Sequence, residues 1–541
     1  MIELDGGPLA LEHVEAVARR GEEVRLAPVA ARMLAESRAF VDRLAAGSEP
    51  IYGITTGVGK LKDVVIPPGE RAELQRNLVL SHAGGMGAPL PAAEVRAIML
   101  LLAASLARGA SGVRPVVVET VIACLNRRVH PVVPELGSVG ASGDLAPLAH
   151  VALCLVGEGT ASDEGRPVPA REALAHAGLT ALVLETKEGL ALLNGTHLMA
   201  GLGALAVLDA GRLTRLADVT GAMSLEALMG SNAAFDPRIH ALRPHPGQLA
   251  AAANLRRLTA ESAIIASHRD CTRVQDAYSL RCMPQVHGST REAVTFARSV
   301  IERELASVSD NPLVFPAAGA VLSGGNFHGE VLGLALDTLA LGLGQLAGIC
   351  ERRIDRLVNP LTNEALPPFL SPRGGVHSGY MIAQYGAAAL ASELRTQAVP
   401  ASVESIPTSG LQEDYNSMAA GSALKARRAG RRAPASRRQR RPEIEGARRP
   451  ARRSERGSRR STATAISRPI STPRWRSARR ASCSRRWKAR SARWSEAPQR
   501  LRSSPSRSAD ATSADWPFVF LQWPSKCTPS STTITGASTS P

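Results

Sequence analysis

Aromatic residues and cysteines are scarce in this chain of 541 residues. Aromatic side chains make up 3% of the sequence, and the seven cysteines show no paired spacing of the kind that holds a zinc ion or a disulfide framework. No HExxH motif and no cluster of Cys and His ligands is present, so the sequence gives no support for a metal site. The simplest expectation is a reduced, cytoplasmic protein without a bound metal.

Targeting segments and two common catalytic motifs are also missing. The N-terminus, MIELDGGPLALEHVE, carries acidic residues where a signal peptide needs a basic segment and an apolar core, so we expect no signal peptide. The most apolar run, 332–350, is interrupted by Asp337 and glycines and predicts a buried helix rather than a membrane span. GITTGVGK at 53–60 lacks the first glycine of a phosphate-binding loop, and Asp144 stands where a hydrolase nucleophile elbow needs glycine.

The net charge of +17 is divided between two unlike parts of the chain. Residues 421–541 contain 27 Arg and 3 Lys against 6 acidic residues, whereas residues 1–420 contain 35 basic and 42 acidic residues. All five Trp lie in the tail, and all twelve His and all five Tyr precede it. From about residue 429 the apolar period disappears and Arg, Ser and Pro dominate, which predicts a disordered tail.

Two interpretations of the tail remain open. An Arg/Ser-rich segment is suited to bind the phosphates of RNA or DNA. A reading-frame error in a GC-rich gene would produce the same runs of Arg, Ser, Pro and Ala. We favour the frameshift, because a helical pattern that begins near Ser417 dissolves at about Arg428. Nucleic acid is therefore not an expected partner, and translation of the gene in the other two frames past codon 428 separates the two interpretations.

Helical patterns rich in Ala and Leu dominate the chain before the tail. Apolar residues recur at spacings of three and four in six stretches, 93–108, 144–155, 198–216, 291–305, 329–357 and 380–396. Strand signals are few, and β-branched runs such as 116–118 are short. Polar loops interrupt the helices, so we expect a mainly α fold with an active site built from loops.

The most informative stretch is GSVGASGDLAPLAH at 137–150. Because Gly143 has no Cβ, its amide nitrogen can fold back onto the carbonyl of Ala141 and close a five-membered ring. Loss of water from that ring and from the Ser142 side chain would leave an exocyclic methylene conjugated to a carbonyl, which is an electrophile. The alternative for the tetrapeptide alone is an ordinary turn, with Ser142 or Asp144 as the N-cap of the next helix.

Eight segments in chain order resemble the histidine ammonia-lyases of the aromatic amino-acid ammonia-lyase family, whose electrophile is a methylidene-imidazolone (MIO) group. They are YGITTGVGKL at 52–61, LQRNLVLSHAGGMG at 74–87, GSVGASGDLAPLAH at 137–150, EGLALLNGTH at 188–197, RVQDAYSLRCMPQ at 273–285, SVSDNPLVF at 307–315, GGNFHGE at 324–330 and PASVESIPTSGLQEDYNSM at 400–418. The resemblance covers residues 1 to about 428. It implies a large helical-bundle, ammonia-lyase/fumarase-like architecture and a homotetramer with active sites built from more than one subunit.

The resemblance also implies a domain division and a reaction. The expected parts are an N-terminal domain over 1–200 that carries the MIO loop, a central helical bundle over 201–428, and the tail over 429–541. The expected reaction is removal of ammonia from L-histidine to give trans-urocanate, with MIO formed from Ala141, Ser142 and Gly143 and no external cofactor. The family continues with further helices where this chain has its tail, so we expect the chain as written to be less stable and less active.

Four more residues receive catalytic roles from the resemblance. Tyr52 matches the general base; a phenol titrates near pH 10, so it needs neighbouring cations or donors to act at neutral pH. Arg281 matches the bidentate clamp on the substrate carboxylate. Asn194 would hydrogen-bond the imidazolone oxygen. Tyr278 matches a residue implicated in both cofactor formation and catalysis.

Substrate choice is assigned to a second group of matched residues. His82, in a Ser-His pair that histidine lyases carry, would orient the substrate imidazole, and Glu413 matches a carboxylate that engages the same ring. Gln275 and Phe327 match pocket residues near the carboxylate and the electrophile. Lyases for tyrosine or phenylalanine, and aminomutases of the same family, remain the alternative within this chemistry.

Three positions depart from the usual histidine-lyase pattern. His197 stands where many members have Gln or another polar residue, Met283 replaces a common Gln, and Leu411 replaces a common Asn. Because all three lie beside the expected pocket, they affect the expected fine selectivity more than the reaction class.

Overall fold

The computed structural model describes residues 1–432 apart from Glu164, Arg269, Cys271, Thr272 and Ala365. The predicted disordered tail therefore lies outside the described residues from position 433 onward. Residues 429–432, which the sequence assigned to that tail, are the end of a helix.

Helices dominate the described chain, which confirms the mainly α expectation. In chain order they are α1 Leu11–Glu15, α2 Pro28–Ala46, α3 Arg71–His82, α4 Ala92–Leu106, α5 Pro115–Asn126, α6 Leu145–Leu155, α7 Ala170–His176, α8 Glu188–Leu193, α9 His197–Ala227, α10 Pro237–Ala241, α11 Pro246–Thr259, α12 Ala263–Ala266, α13 Tyr278–Arg281, α14 Met283–Glu304, α15 Glu330–Val358, α16 Met381–Gln397 and α17 Ala419–Arg432. A π-helical turn, Ala16–Arg20, continues α1.

The short strands form four small sheets in the described part of the chain. They are β1 Ile2–Leu4, β2 Val24–Leu26, β3 Met86–Pro89, β4 His130–Pro131, β5 Pro134–Leu136, β6 Thr160–Asp163, β7 Arg166–Pro169, β8 Leu313–Phe315 and β9 Ala320–Leu322. β1 and β2 pair in parallel, whereas β3–β5, β4–β6–β7 and β8–β9 are antiparallel. The β3–β5 pair fixes the chain immediately before the segment that begins at Gly137.

All six helical stretches expected from apolar spacing are helices, with two extensions. α9 runs to Ala227 and α14 begins at Met283, where Pro284 is accommodated in the first turn because its missing N–H is not needed there. The β-branched run 116–118, named above as a strand signal, lies in α5 instead. Pro115 opens that helix, and Val117 and Val118 are buried in the main core, so burial decides the conformation over β propensity.

The long helices form a bundle around α15. This helix packs against α9, α14, α16 and α17, and its buried leucines belong to a core that extends to α4 and α5. By length and composition alone α15 is apolar enough to cross a membrane, but 56% of its most apolar window is buried inside the fold. The burial agrees with the prediction of a core helix.

The last described helix, α17, is an integral part of this bundle. Ala423 and Ala426 are buried against the core, and Arg427 binds two carboxylates at once. Its Nε lies 2.8 Å from Glu94 on α4, and its Nη1 lies 2.9 Å from Glu135 on β5. α17 is therefore tied to the strand that leads into the segment starting at Gly137.

Candidate active site

Gly143 lies directly against the backbone of Gly195. The two residues pair as a parallel bridge, and the amide of Asp144 donates to the Gly195 carbonyl at 2.7 Å. Gly143 has φ +74°, and a Cβ at this position would stand 2.2 Å from the Gly195 oxygen. A side chain at 143 is excluded both by the left-handed conformation and by this contact.

The side chain of Asp144 anchors this loop to the start of α9. Asp144 occupies the N-cap position of α6, but its side chain accepts no hydrogen bond from that helix. Its Oδ2 instead accepts from the amides of Leu198 and Met199 at 2.9 and 3.0 Å, and its Oδ1 accepts from the Ser138 hydroxyl at 2.8 Å. The alternative in which Asp144 caps α6 is therefore wrong. Complete burial raises the pKa of Asp144 to about 7, against the lowering effect of these donors.

Ser142 contacts a loop that is distant in sequence. Its hydroxyl donates to Oε1 of Glu413 at 2.9 Å, so Ser142 does not cap α6 either. Oε2 of the same carboxylate accepts from the Thr408 hydroxyl at 2.6 Å. The Ser417 hydroxyl donates to the Gly140 carbonyl at 2.9 Å. The loop before α17 thus lies over the 137–144 segment and places a carboxylate on Ser142.

Asn194 directly follows α8 and lies beside this pair of loops. Its Nδ2 donates to the Asn311 carbonyl at 2.9 Å. Its Oδ1 is buried without a hydrogen-bond partner among the described residues. Because Gly195 contacts Gly143, Asn194 is one residue removed from the predicted ring, and Nδ2 carries a second hydrogen that a ligand can accept.

Tyr52 has an environment that favours its neutral form. Burial raises its pKa, the amide of Gly59 donates to its hydroxyl at 3.1 Å and lowers it, and the carboxylates of Glu413 and Asp310 raise it further. No cation hydrogen-bonds this hydroxyl in the part of the chain that the structure describes. A base at neutral pH needs a further positive charge nearby.

Gln275, Tyr278 and Arg281 form a separate group. The guanidinium of Arg281 lies 4.7 Å from the centre of the Tyr278 ring, and Tyr278 is 70% exposed. Arg281 and Gln275 line a cavity of about 500 Å³. Within the described residues, no hydrogen bond, ion pair or ring contact joins these three side chains to Ser142 or Glu413.

His82 is the last residue of α3, and Phe327 lies in the loop between β9 and α15. Nδ1 of His82 is 2.8 Å from the Leu78 carbonyl; because a carbonyl only accepts, Nδ1 carries the proton and Nε2 is an acceptor. Phe327 is half-buried in a loop whose Gly329 amide donates to the Gly140 carbonyl at 3.3 Å. Phe327 is thus carried by a loop that contacts the 137–144 segment, whereas the hydrogen bonds of the His82 side chain are to Leu78 and Ser81 of α3.

The three departures from the family pattern have different surroundings. His197 is buried with neither ring nitrogen hydrogen-bonded among the described residues, and burial lowers its pKa to about 3. Met283 is fully buried in the core, and Leu411 is 73% exposed. His197 contacts Gly195, which pairs with Gly143, and Leu411 lies two residues before Glu413, which binds Ser142.

Sequence reasoning missed two buried charged residues. Lys187 and Asp310 form an ion pair of 2.6 Å with both side chains inside the fold. Asp310 lies in the matched segment 307–315 and Lys187 directly precedes the matched segment 188–197, but their pairing could not be read from a pattern. The detectable signal was an isolated lysine and an Asp-Asn pair beside strongly apolar segments.

Comparison with known proteins shows the family to which the chain is related. The sequence model of the family described as aromatic amino acid lyase matches residues 9–434. A histidine ammonia-lyase from Gloeobacter violaceus is 55% identical over 423 residues, which is 78% of this chain and 82% of that protein. A solved histidine ammonia-lyase from Trypanosoma cruzi is 40% identical with a TM-score of 0.76, covering 84% of this chain and 86% of that one.

A solved tyrosine aminomutase from Streptomyces globisporus is 37% identical with a TM-score of 0.79, covering 84% of this chain and 89% of that one. These matches confirm the predicted fold class and the predicted extent of the resemblance, which ended near residue 428. The chain belongs to the aromatic amino acid lyase family.

Proposed function

We propose that this ammonia-lyase eliminates ammonia from L-histidine to give trans-urocanate, with an MIO group formed from Ala141, Ser142 and Gly143. The observation that carries the proposal is the approach of Gly143 to the Gly195 backbone, which leaves no room for a Cβ and holds the backbone turned. The identity of 55% to a histidine ammonia-lyase supports the substrate. The electrophile supplies a covalent attachment point for the amine, which makes ammonia a better leaving group.

The residues around the electrophile carry out the other steps of the reaction. Tyr52 takes the proton from the substrate β-carbon, which forms the double bond as ammonia leaves the α-carbon. The second hydrogen on Nδ2 of Asn194 would donate to the imidazolone oxygen and stabilise negative charge that develops there. Arg281 holds the substrate carboxylate through two parallel hydrogen bonds, and Tyr278 lies on the same helix.

The site is completed by other copies of the chain. The separation of Arg281 from Ser142 within one chain supports an assembly in which one copy supplies the carboxylate clamp and another the electrophile. Large apolar side chains on the bundle surface support it further: Leu334 of α15 and Ile382 of α16 are 55% and 71% exposed.

Two polar residues select the imidazole ring. Nε2 of His82 and the carboxylate of Glu413 are hydrogen-bond acceptors for an imidazole N–H. Gln275 and Phe327 border the carboxylate and the ring, respectively. Phenylalanine offers no N–H to these half-buried acceptors, so histidine is favoured over it. The similarity to a tyrosine aminomutase makes tyrosine the competitor to assay.

Two measurements test the proposal. Formation of urocanate, coumarate and cinnamate from the three amino acids identifies the substrate, and faster coumarate than urocanate formation would refute our assignment. Intact mass shows the ring, because its formation removes two waters. Ser142→Ala abolishes that mass loss and the activity, whereas the same change at half-buried Ser299 on α14 preserves both. Retained mass loss in the Ser142 variant would also refute it.

A further inference from the structure

A polar segment at 309–311 holds two loops of the site together. The carbonyl of Asn311 accepts from Asn194, and the Ser309 hydroxyl accepts from the amide of Thr196 at 3.1 Å. The side-chain oxygen of Asn311 accepts from the amide of Gly324 at 2.8 Å, at the start of the loop that carries Phe327. The Asn194 turn and the Phe327 loop are thus both fixed to three consecutive residues.

A buried ion pair fixes this segment in turn. Nζ of Lys187 lies 2.6 Å from Oδ2 of Asp310, and the two side chains are 0% and 2% exposed. The other oxygen, Oδ1, accepts from the amide of Asn311 at 2.6 Å. Lys187 immediately precedes α8 and Asn194 immediately follows it. The ion pair therefore joins the start of this helix to the 309–311 segment, which also binds Asn194 at the end of the helix.

Stability alone does not explain this pair. Removing a lysine and an aspartate from water costs about as much as their attraction returns, and an apolar pair of the same volume would serve a core as well. The position of the ion pair explains its presence better, because the negative charge of Asp310 also raises the pKa of Tyr52. A compensating cation is needed there if that phenol is to ionise.

We propose that Lys187 and Asp310 are a positioning pair, which holds Asn194 in place while the Lys187 ammonium offsets the Asp310 charge beside Tyr52. The proposal rests on the proposed role of Tyr52 as the base. Among the described residues, the charged and polar groups that act on Tyr52 are Asp310, Glu413 and the Gly59 amide. Lys60 and Lys62 lie on the same loop, with Lys62 binding Gln412 at 2.7 Å.

Lys187→Met tests the pair, since it keeps the chain length and removes the charge. We expect ionisation of Tyr52 to move to higher pH, and kcat/KM for histidine to fall about 10²-fold at neutral pH as the Asn194 support loosens. Lys187→Met with Asp310→Asn leaves neither charge, so Tyr52 ionisation returns toward its wild-type pH. Lys425→Met is the matched control, because it removes a Lys–Asp contact of 3.4 Å in the bundle and leaves Tyr52 ionisation unchanged.

Two readouts are required, and the first does not depend on turnover. Ultraviolet difference absorbance against the Tyr52→Phe variant follows the phenolate directly, and the pH profile of kcat/KM follows the base in the reaction. Circular dichroism and the two-water mass loss show that each variant is folded and mature. Absence of urocanate from the mature wild type would defeat the proposed function, while the phenolate titration would still report on the pair.

The proposal fails if Tyr52 ionises at the wild-type pH in folded Lys187→Met, or if the double variant shifts as far as the single one. A purely structural role lowers activity equally at all pH values and leaves the titration in place. If Lys187→Met does not fold, Asp310→Asn decides the matter: ionisation must move to lower pH, and an unmoved titration overturns the electrostatic role.

Discussion

Protonation of His287 should destabilise the helical bundle as the pH falls. His287 lies on α14 and is fully buried between Asp218 and Arg353. Its Nδ1 is 2.8 Å from Oδ1 of Asp218, and its Nε2 is 3.2 Å from Nη1 of Arg353. Because arginine only donates, Nε2 is the acceptor and Nδ1 carries the proton. A second proton on Nε2 would face the guanidinium.

The magnitude follows from the pKa of His287. Burial lowers it from 6.5 to about 4; the Arg353 charge acts in the same direction, while Asp218 opposes both. Between these two pH values the unfolded chain binds a proton that the folded chain does not. The stabilisation present above pH 6.5 is therefore lost as the pH falls, by about 3 kcal/mol at pH 4.

His287→Asn isolates this contribution. Asparagine keeps a donor near the Nδ1 position for Asp218 but does not titrate, and we expect it to be the less stable protein at pH 7. Thermal unfolding of both proteins between pH 7 and 4 should show that the difference in stability between them narrows, because the wild type loses the stabilisation that neutral His287 provides. The same substitution at exposed His245 controls for the loss of a histidine. A gap that stays constant with pH would refute the reasoning.

Other changes test the loop contacts and the bundle. Gly143→Ala should prevent ring formation, because the left-handed backbone costs about 1–2 kcal/mol and the new Cβ collides with the Gly195 carbonyl; complete two-water loss by intact mass would contradict this. Gly195→Ala should have the same effect on that mass, since its Cβ would stand 2.4 Å from a ring carbon of His197. Glu94→Gln should lower the free energy of unfolding by about 2 kcal/mol in chemical denaturation, because Arg427 loses one of its two carboxylate partners and keeps Glu135. A loss under about 0.5 kcal/mol would mean that solvent screens this pair.

The helices could be predicted from the sequence because their apolar spacing is local. α4, α6, α15 and α16 lie within two residues of the predicted stretches. The run at 116–118 could not be assigned from its β-branched residues, since burial against the core overrides a propensity difference that is small for each residue.

The site was predictable residue by residue but not as an arrangement. Motif likeness pointed to Ser142 and Glu413, yet their contact of 2.9 Å joins residues 271 positions apart. Asp144 offered an ordinary capping pattern for α6, but its carboxylate bonds to the first turn of α9. Such choices depend on which distant backbone amides lack partners, and a linear pattern does not contain that information.

Ring formation and turnover draw on different parts of the molecule. The contacts around Gly143, which involve Gly195 and Asp144, are all made within one chain. Among the described residues, no hydrogen bond, ion pair or ring contact joins Arg281 to Ser142, so our proposal assigns histidine turnover to an assembly of two or more copies. Subunits separated by gel filtration should therefore carry the two-water mass loss while forming no urocanate. A mature ring found only in the assembled fraction would place the closing of the ring after assembly and contradict this order. Arg427 of α17 ties strand β5, which precedes Gly137, to the bundle. The described residues therefore contain the contacts that we assign to ring formation.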